Sequence, residues 1–139
     1  MKAFIDTNIL IDLACQRKDF FEEAKELFLL GYTNKITIAF STLSFVNAVY
    51  ISKKYGYTLE STKSVLSNIA SFTEILDLPN GKNIIDALLS DWKNFEDCVQ
   101  TNAAIEGGCD CIITRNKKDF VQSEIPVYTI KEFLDTTGL

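Results

Sequence analysis

The chain alternates short, almost wholly apolar runs with longer stretches whose apolar residues recur every three or four positions. This is the pattern of strands buried on both faces and helices buried on one. Ala3-Phe4-Ile5, Ile36-Thr37-Ile38-Ala39, Phe72 to Leu76, Cys111-Ile112-Ile113 and Val127-Tyr128 read as strands. Ile9, Leu10 and Leu13 mark a first helix, and Asp19 with Glu22 opens a second that runs through Leu30 and is closed by Gly31. Leu43, Val46, Val49 and Tyr50 predict a helix ending near Lys54 and Gly56, and Leu59, Val65, Leu66 and Ile69 another. Ile84, Ile85, Leu88 and Leu89 follow a Pro79-Asn80-Gly81 turn, and Phe95 to Ile105 is helical until Gly107-Gly108 stops it. Lys117 to Phe120 reads as one helical turn, and Thr129 with Glu132 as the capping box of a last helix. Strands alternating with helices predict a three-layer α/β/α sandwich around a mainly parallel sheet. No linker, repeat or low-complexity segment intervenes, so residues 1–139 are expected to form one domain.

In such a sheet the chemistry lies at the carboxyl ends of the strands. Asp6-Thr7-Asn8 follows the first strand directly, and Thr114-Arg115-Asn116, with Asp119 beyond, follows the fourth. Parallel packing of these two strands would bring Asp6 close to the Thr114-Asn116 turn. A further acidic pair, Glu96-Asp97, opens a helix. Asp6, Asp97 and Asp119 can therefore converge on one hard cation, Mg2+ or Mn2+, which takes oxygen ligands. Such a cation would lower the pKa of a bound water and polarise a scissile phosphate, the chemistry of a nuclease. Asn116 is a further candidate ligand to the metal or its water. Thr7, Asn8 and Thr114 are candidates for orienting Asp6 through hydrogen bonds, and Glu96 for a supporting charge. Each also has a purely local reading: Asp6 and Asp119 as helix caps, Asp97 as part of a capping box with Asn94, Glu96 as a solvated acid of a first turn.

The chain contains no histidine, which removes His-based acid-base catalysis, Ser-His-Asp triads and the HExxH zinc motif. Cys15, Cys98, Cys109 and Cys111 fit neither a zinc knuckle nor a disulfide framework and are read as core thiols. No basic stretch leads into a long apolar segment, so no membrane association and a cytoplasmic, reduced setting are expected. A net charge of −5 argues against a broad electrostatic grip on nucleic acid. Local basic clusters remain at Arg17-Lys18, at Lys53-Lys54 and at Arg115 with Lys117 and Lys118, the last beside the candidate site.

The order of three segments adds a resemblance. F-I-D-T-N-I-L-I-D-L at the start, F-E-D-C-V-Q-T-N-A-A around Asp97, and C-I-I-T-R-N-K-K-D-F followed by I-P-V-Y-T-I-K-E-F-L closely resemble the PIN-domain family over nearly the whole chain. The resemblance implies a metal-dependent RNase with four acidic positions. Small stand-alone members of this kind are mostly VapC-type toxins of prokaryotic toxin-antitoxin pairs, so RNA as substrate, a cognate antitoxin and a homodimer are implied as partners. Leu27, Phe28, Tyr50 and Tyr55 are candidates for a homodimer surface, although core packing is the first expectation for all four. The first family acid falls on Asp6, the third on Asp97, and the fourth region on Asn116 and Asp119. The second position commonly carries glutamate, whereas Ser41-Thr42-Leu43-Ser44-Phe45-Val46-Asn47 aligns to put Asn47 there. An amide keeps an oxygen ligand but loses a charge. Relatives also often carry D-F-E-D where this chain has N-F-E-D, beginning at Asn94.

The leading reading is thus a Mg2+- or Mn2+-dependent ribonuclease, with Arg115, Lys117 and Lys118 as RNA contacts. The alternative is a catalytically weakened or inactive PIN module that binds RNA or a protein. A third, an enzyme using Asp6 as nucleophile, lacks the second aspartate expected two residues on.

Overall fold

All five expected strands form, and they pair in parallel in one sheet of order β3-β2-β1-β4-β5. They are β1 (Lys2–Ile5), β2 (Thr37–Ser41), β3 (Glu74–Leu76), β4 (Cys111–Ile113) and β5 (Val127–Tyr128). The helices are α1 (Thr7–Ala14), α2 (Phe21–Tyr32), α3 (Thr42–Lys54), α4 (Leu59–Ala70), α5 (Gly81–Leu89), α6 (Phe95–Glu106) and α7 (Ile130–Thr137), with a 3-10 turn at Lys117–Phe120. This computed structural model describes residues 1–78 and 80–139; Pro79, within the expected Pro79-Asn80-Gly81 turn, lies outside the described residues.

Period-2 alternation along each strand divides the core. Ala3 and Ile5, Ile38 and Phe40, and Cys111 and Ile113 face one side, where α1, α2, α3, α4 and α7 contribute Leu10, Leu27, Ala48, Ile69 and Phe133. Phe4, Ala39 and Ile112 face the other, against Ala104 of α6, Cys109 and Phe120. The in-register rows Ala3 with Ile38 and Cys111, and Phe4 with Ala39 and Ile112, keep each set on its own face. Helices therefore cover both faces of the sheet, giving the three-layer sandwich. All four cysteines are buried and free. Burial raises the Cys109 thiol to about 12 and the Cys111 thiol to about 11, so both stay protonated.

Both ends of α2 differ from the sequence reading. α2 begins after Phe20 rather than at Asp19, and it runs through Gly31 to Tyr32. Gly31 does not end the helix. A Cβ at this position would lie 2.5 Å from Cδ1 of Ile38, so the missing side chain lets α2 close onto β2. The capping box of α7 forms as expected, Thr129 accepting from the Glu132 amide and Glu132 from the Thr129 amide.

The strand order sets the site. The chain winds outward from β1 through β2 to β3, then returns to place β4 on the opposite side of β1. The crevice beyond the carboxyl ends of β1 and β4 is a topological switch point, where open α/β sheets bind ligands. Asp6 and Thr114 are the first residues past these ends.

Candidate active site

Asp6 is only 8% exposed. Its amide donates to the Ile113 carbonyl at 3.0 Å, extending the ladder by one bond, and its carboxylate accepts from the Thr114 hydroxyl at 2.7 Å. Thr114 Oγ1 accepts in turn from the Asn116 amide at 3.0 Å. Asp6 occupies the N-cap position of α1, but its side chain makes no capping hydrogen bond there. Burial holds the carboxyl above the ordinary carboxylate range; Thr114 and the amides of Thr7 and Asn8 oppose the rise, and the Glu96 charge adds to it.

Asp97 lies in the first turn of α6, capped by Asn94, whose side chain accepts from the Asp97 amide at 3.1 Å. The cap is thus Asn94, and the Asp97 carboxylate is free of that duty. Its pKa is raised to about 7, first by burial and then by the negative charges of Asp6, Asp119 and Glu96. Negative charges from three separate segments therefore converge on Asp97.

Asp6, Thr7, Asn8, Asn47, Glu96 and Asp97 line one cavity of about 360 Å3, with Asn94, Tyr50 and Lys54 on its rim. Asn47 of α3 faces this cavity and not the core, and its amide donates to Glu96 Oε1 at 3.0 Å. Asp119 lies just outside, lining an adjoining cavity with Asn94 and Lys118, and Asn94 forms the ridge between the two. Among the described residues, no three acids or thiols are drawn together closely enough to enclose an ion as they stand. The donor set nevertheless suits a hard divalent cation: carboxylate and amide oxygens with unrelieved negative charge.

The basic residues read from the sequence fare unequally. Arg115 is committed to Asp12, with Nε 2.7 Å from Oδ2 and a terminal nitrogen 3.1 Å from Oδ1, and its guanidinium stacks 3.8 Å from the Phe20 ring centroid. Lys117 pairs with Glu132 at 2.9 Å. Lys118 is exposed and makes no ion pair among the described residues. Of the four residues considered for a homodimer surface, Leu27 and Phe28 are core, whereas Tyr50 and Tyr55 are 63% and 55% exposed, against the expectation of core packing.

Sequence reasoning missed the support beneath the cavity. Gln100 of α6 donates to Thr7 Oγ1 at 3.3 Å and to Ser44 Oγ at 3.4 Å, and its carbonyl accepts from Ser41 Oγ. The Thr7 hydroxyl donates to Ser44 at 3.0 Å. All four are buried, so this network ties the starts of α1 and α3 to α6 and sets the spacing between Asp6 and Asp97. A glutamine one turn after Asp97, followed on the same face by Ala103 and Ala104, was the available signal.

No helix among the described residues is long and apolar enough to cross a membrane. The PIN domain family profile matches residues 2–118. The chain is 26% identical over 141 residues to "Ribonuclease VapC1" of Aquifex aeolicus (strain VF5), covering 96% of this chain and 94% of the relative. Among solved structures, a toxin-antitoxin complex from Klebsiella pneumoniae contains a chain that is 27% identical, with a TM-score of 0.63 over 92% of this chain and 97% of that one. VapBC2 from Rickettsia felis, bound to a DNA fragment from its promoter, matches at 22% identity and a TM-score of 0.65, with the same coverage of both chains. With its parallel sheet, its acids beside the β1 and β4 ends, and a family match over most of its length, the chain belongs to the PIN domain family and is related to the VapC ribonucleases of toxin-antitoxin systems.

Proposed function

We propose that the protein is a ribonuclease dependent on Mg2+ or Mn2+, and the toxin of a toxin-antitoxin pair. The observation that carries this reading is the gathering of Asp6, Glu96, Asp97 and Asp119 around the switch point, with none of them ion-paired among the described residues. Uncompensated like charges of this kind cost stability, and a bound cation relieves the cost.

Bound there, the cation would supply Lewis acidity toward a phosphodiester and a more acidic water. The chain's own residues set the geometry. Thr114 fixes the Asp6 carboxylate against the sheet end, and the Gln100 network fixes the distance to Asp97. Asp119 adds negative charge from the 3-10 turn, and the Asn116 backbone ties that turn to Thr114, its amide donating to Thr114 Oγ1 and its carbonyl accepting from the Asp119 amide. The Asn47 amide holds the Glu96 carboxylate at the cavity edge, so Glu96 retains the charge that the resemblance expects at position 47. Lys118, which lines a cavity with Asp119 and makes no ion pair among the described residues, is the remaining RNA contact of the three first considered.

Calorimetric Mn2+ titration together with cleavage of mixed structured RNAs, with and without Mg2+, tests the proposal. Metal binding and metal-dependent cleavage are expected, and both should vanish in Asp6→Asn. Asn47 specifically favours one rival, an inactive PIN module; RNA binding with neither Mn2+ affinity nor cleavage would select it. A short reading frame beside the gene encoding a DNA-binding antitoxin, whose product silences cleavage on co-expression, would test the toxin assignment.

A further inference from the structure

α3 carries an aromatic ring and two cations that the chemistry above leaves unused. Tyr50 is 63% exposed. Its ring is a wall shared by the acidic cavity and a second cavity of about 430 Å3 between α3 and the start of α4, where Val46, Val49, Lys53, Tyr57 and Leu59 complete a mainly apolar groove. Lys54 Nζ stands 4.7 Å from the Tyr50 ring centroid and lines the acidic cavity. Neither Lys53 nor Lys54 is ion-paired among the described residues, in a chain whose net charge is −5. Arg17, Arg115 and Lys117, by contrast, are engaged by carboxylates of the protein.

We propose that Tyr50 and Lys54 seat a nucleotide of single-stranded RNA next to the phosphate held in the acidic cavity, its base stacked on the Tyr50 ring and leading into the α3–α4 groove. The inference rests on the nuclease reading for what occupies the acidic cavity. A polyanion approaching a carboxylate-lined cavity needs a cation at its rim, and Lys54 is placed there, with Lys53 in the adjoining groove. Any base presents a π face to an exposed ring, so this recognition is independent of sequence. Charge favours RNA over a second copy of the chain: the groove lining contains no carboxylate, so a self-contact through it would bury Lys53 without a partner from the same face.

The test is fluorescence polarisation with a labelled single-stranded RNA of about 12 nucleotides, in EDTA and again with Ca2+, beside sedimentation and Mn2+ calorimetry of the same variants. Tyr50→Ala and Tyr50→Leu should each weaken binding about tenfold, because both lose the π face, whereas Tyr50→Phe should bind as wild type. Lys54→Ala should lower the slope of log affinity against log salt by about 0.7. Mn2+ affinity should be unchanged in the three Tyr50 variants, which alter no charge. Wild-type affinity in both Tyr50→Ala and Tyr50→Leu overturns the proposal, as does no RNA binding by the wild type in either buffer. A shift of these variants to a smaller sedimenting species with unchanged affinity per protomer overturns it in favour of a contact between copies. Tyr50-dependent binding by a protein that neither takes up Mn2+ nor cuts RNA would refute the nuclease reading alone; cleavage with Tyr50-independent affinity would refute this inference alone.

Discussion

Asp6 immediately precedes α1 and Asp12 lies in its last turn, and both are nearly inaccessible, at 8% and 1% exposure. Their surroundings are opposite. Asp12 receives three hydrogen bonds from two guanidinium groups, Arg115 at 2.7 and 3.1 Å and Arg17 at 3.2 Å, which pin the loops after α1 and β4 together. Asp6 has one neutral side-chain donor, Thr114, and the charges acting on it are negative. A buried carboxylate whose charge is answered within the protein is structural, whereas one whose charge is left over is available to a ligand. The sequence reading passed over Asp12 and assigned Arg115 to RNA, because one-dimensional proximity to a candidate site does not reveal which acid a guanidinium reaches in space.

Substituting each acid in turn separates the two roles with the largest expected effects. Asp6→Asn should abolish metal-dependent cleavage and Mn2+ binding while raising the melting temperature of the metal-free protein, because it removes a buried charge yet keeps an acceptor for Thr114. Asp12→Ala should do the reverse, costing about 3–5 kcal/mol and lowering Tm by on the order of 10 °C, since it leaves two guanidinium groups unanswered. Melting curves of both variants decide the matter: a fall in Tm for Asp6→Asn would mean that Asp6 is a structural acid as well.

The pH dependence sharpens the contrast. Asp97, raised to about 7, and Asp6, also raised, bind protons more tightly in the folded than in the unfolded state. The Asp97 contribution to the stability of the metal-free protein should therefore fall as pH rises from the unfolded value of 3.8 through about 7 and then level off, and Asp6 acts in the same direction. Metal affinity should move the other way and be lost on acidification through the same window, as protons displace the cation. Asp97→Asn should flatten the stability profile; a profile identical to wild type, followed by calorimetry across that range, would remove Asp97 from the cluster.

Asn47→Glu comes next in size. It replaces the amide that holds Glu96 with a like charge, so the metal-free protein should melt lower while Mn2+ affinity rises severalfold. Loss of stability with no gain in affinity would show that Glu96 already fills the role. The smallest effects concern the basic edge. Lys118→Ala should lower the salt slope of RNA binding by about 0.7. Lys117→Ala should leave that slope nearly unchanged, because Glu132 already engages its charge. Equal slopes for the two variants would argue that the Lys117–Glu132 pair opens when RNA binds.

Much of this molecule could be read without coordinates. The β4 and β5 limits, the Lys117–Phe120 turn and the α7 capping box match the sequence reading, since hydrophobic periodicity, strand brevity and capping depend on residues near one another in the chain. So did the proximity of Asp6 to Thr114, which follows from parallel strands and a ligand crevice at their carboxyl ends. Gly31 was misread because a stop signal and a close-packing glycine look alike until Ile38 is seen against it. The Asn47–Glu96 bond, the Gln100 network and the division of the cations into paired and free were decided only in three dimensions. Local sequence carries backbone preference and burial, which are short-range. Which charge meets which depends on long-range packing, and here it brought Asp12 two guanidinium groups and left Asp6 with none.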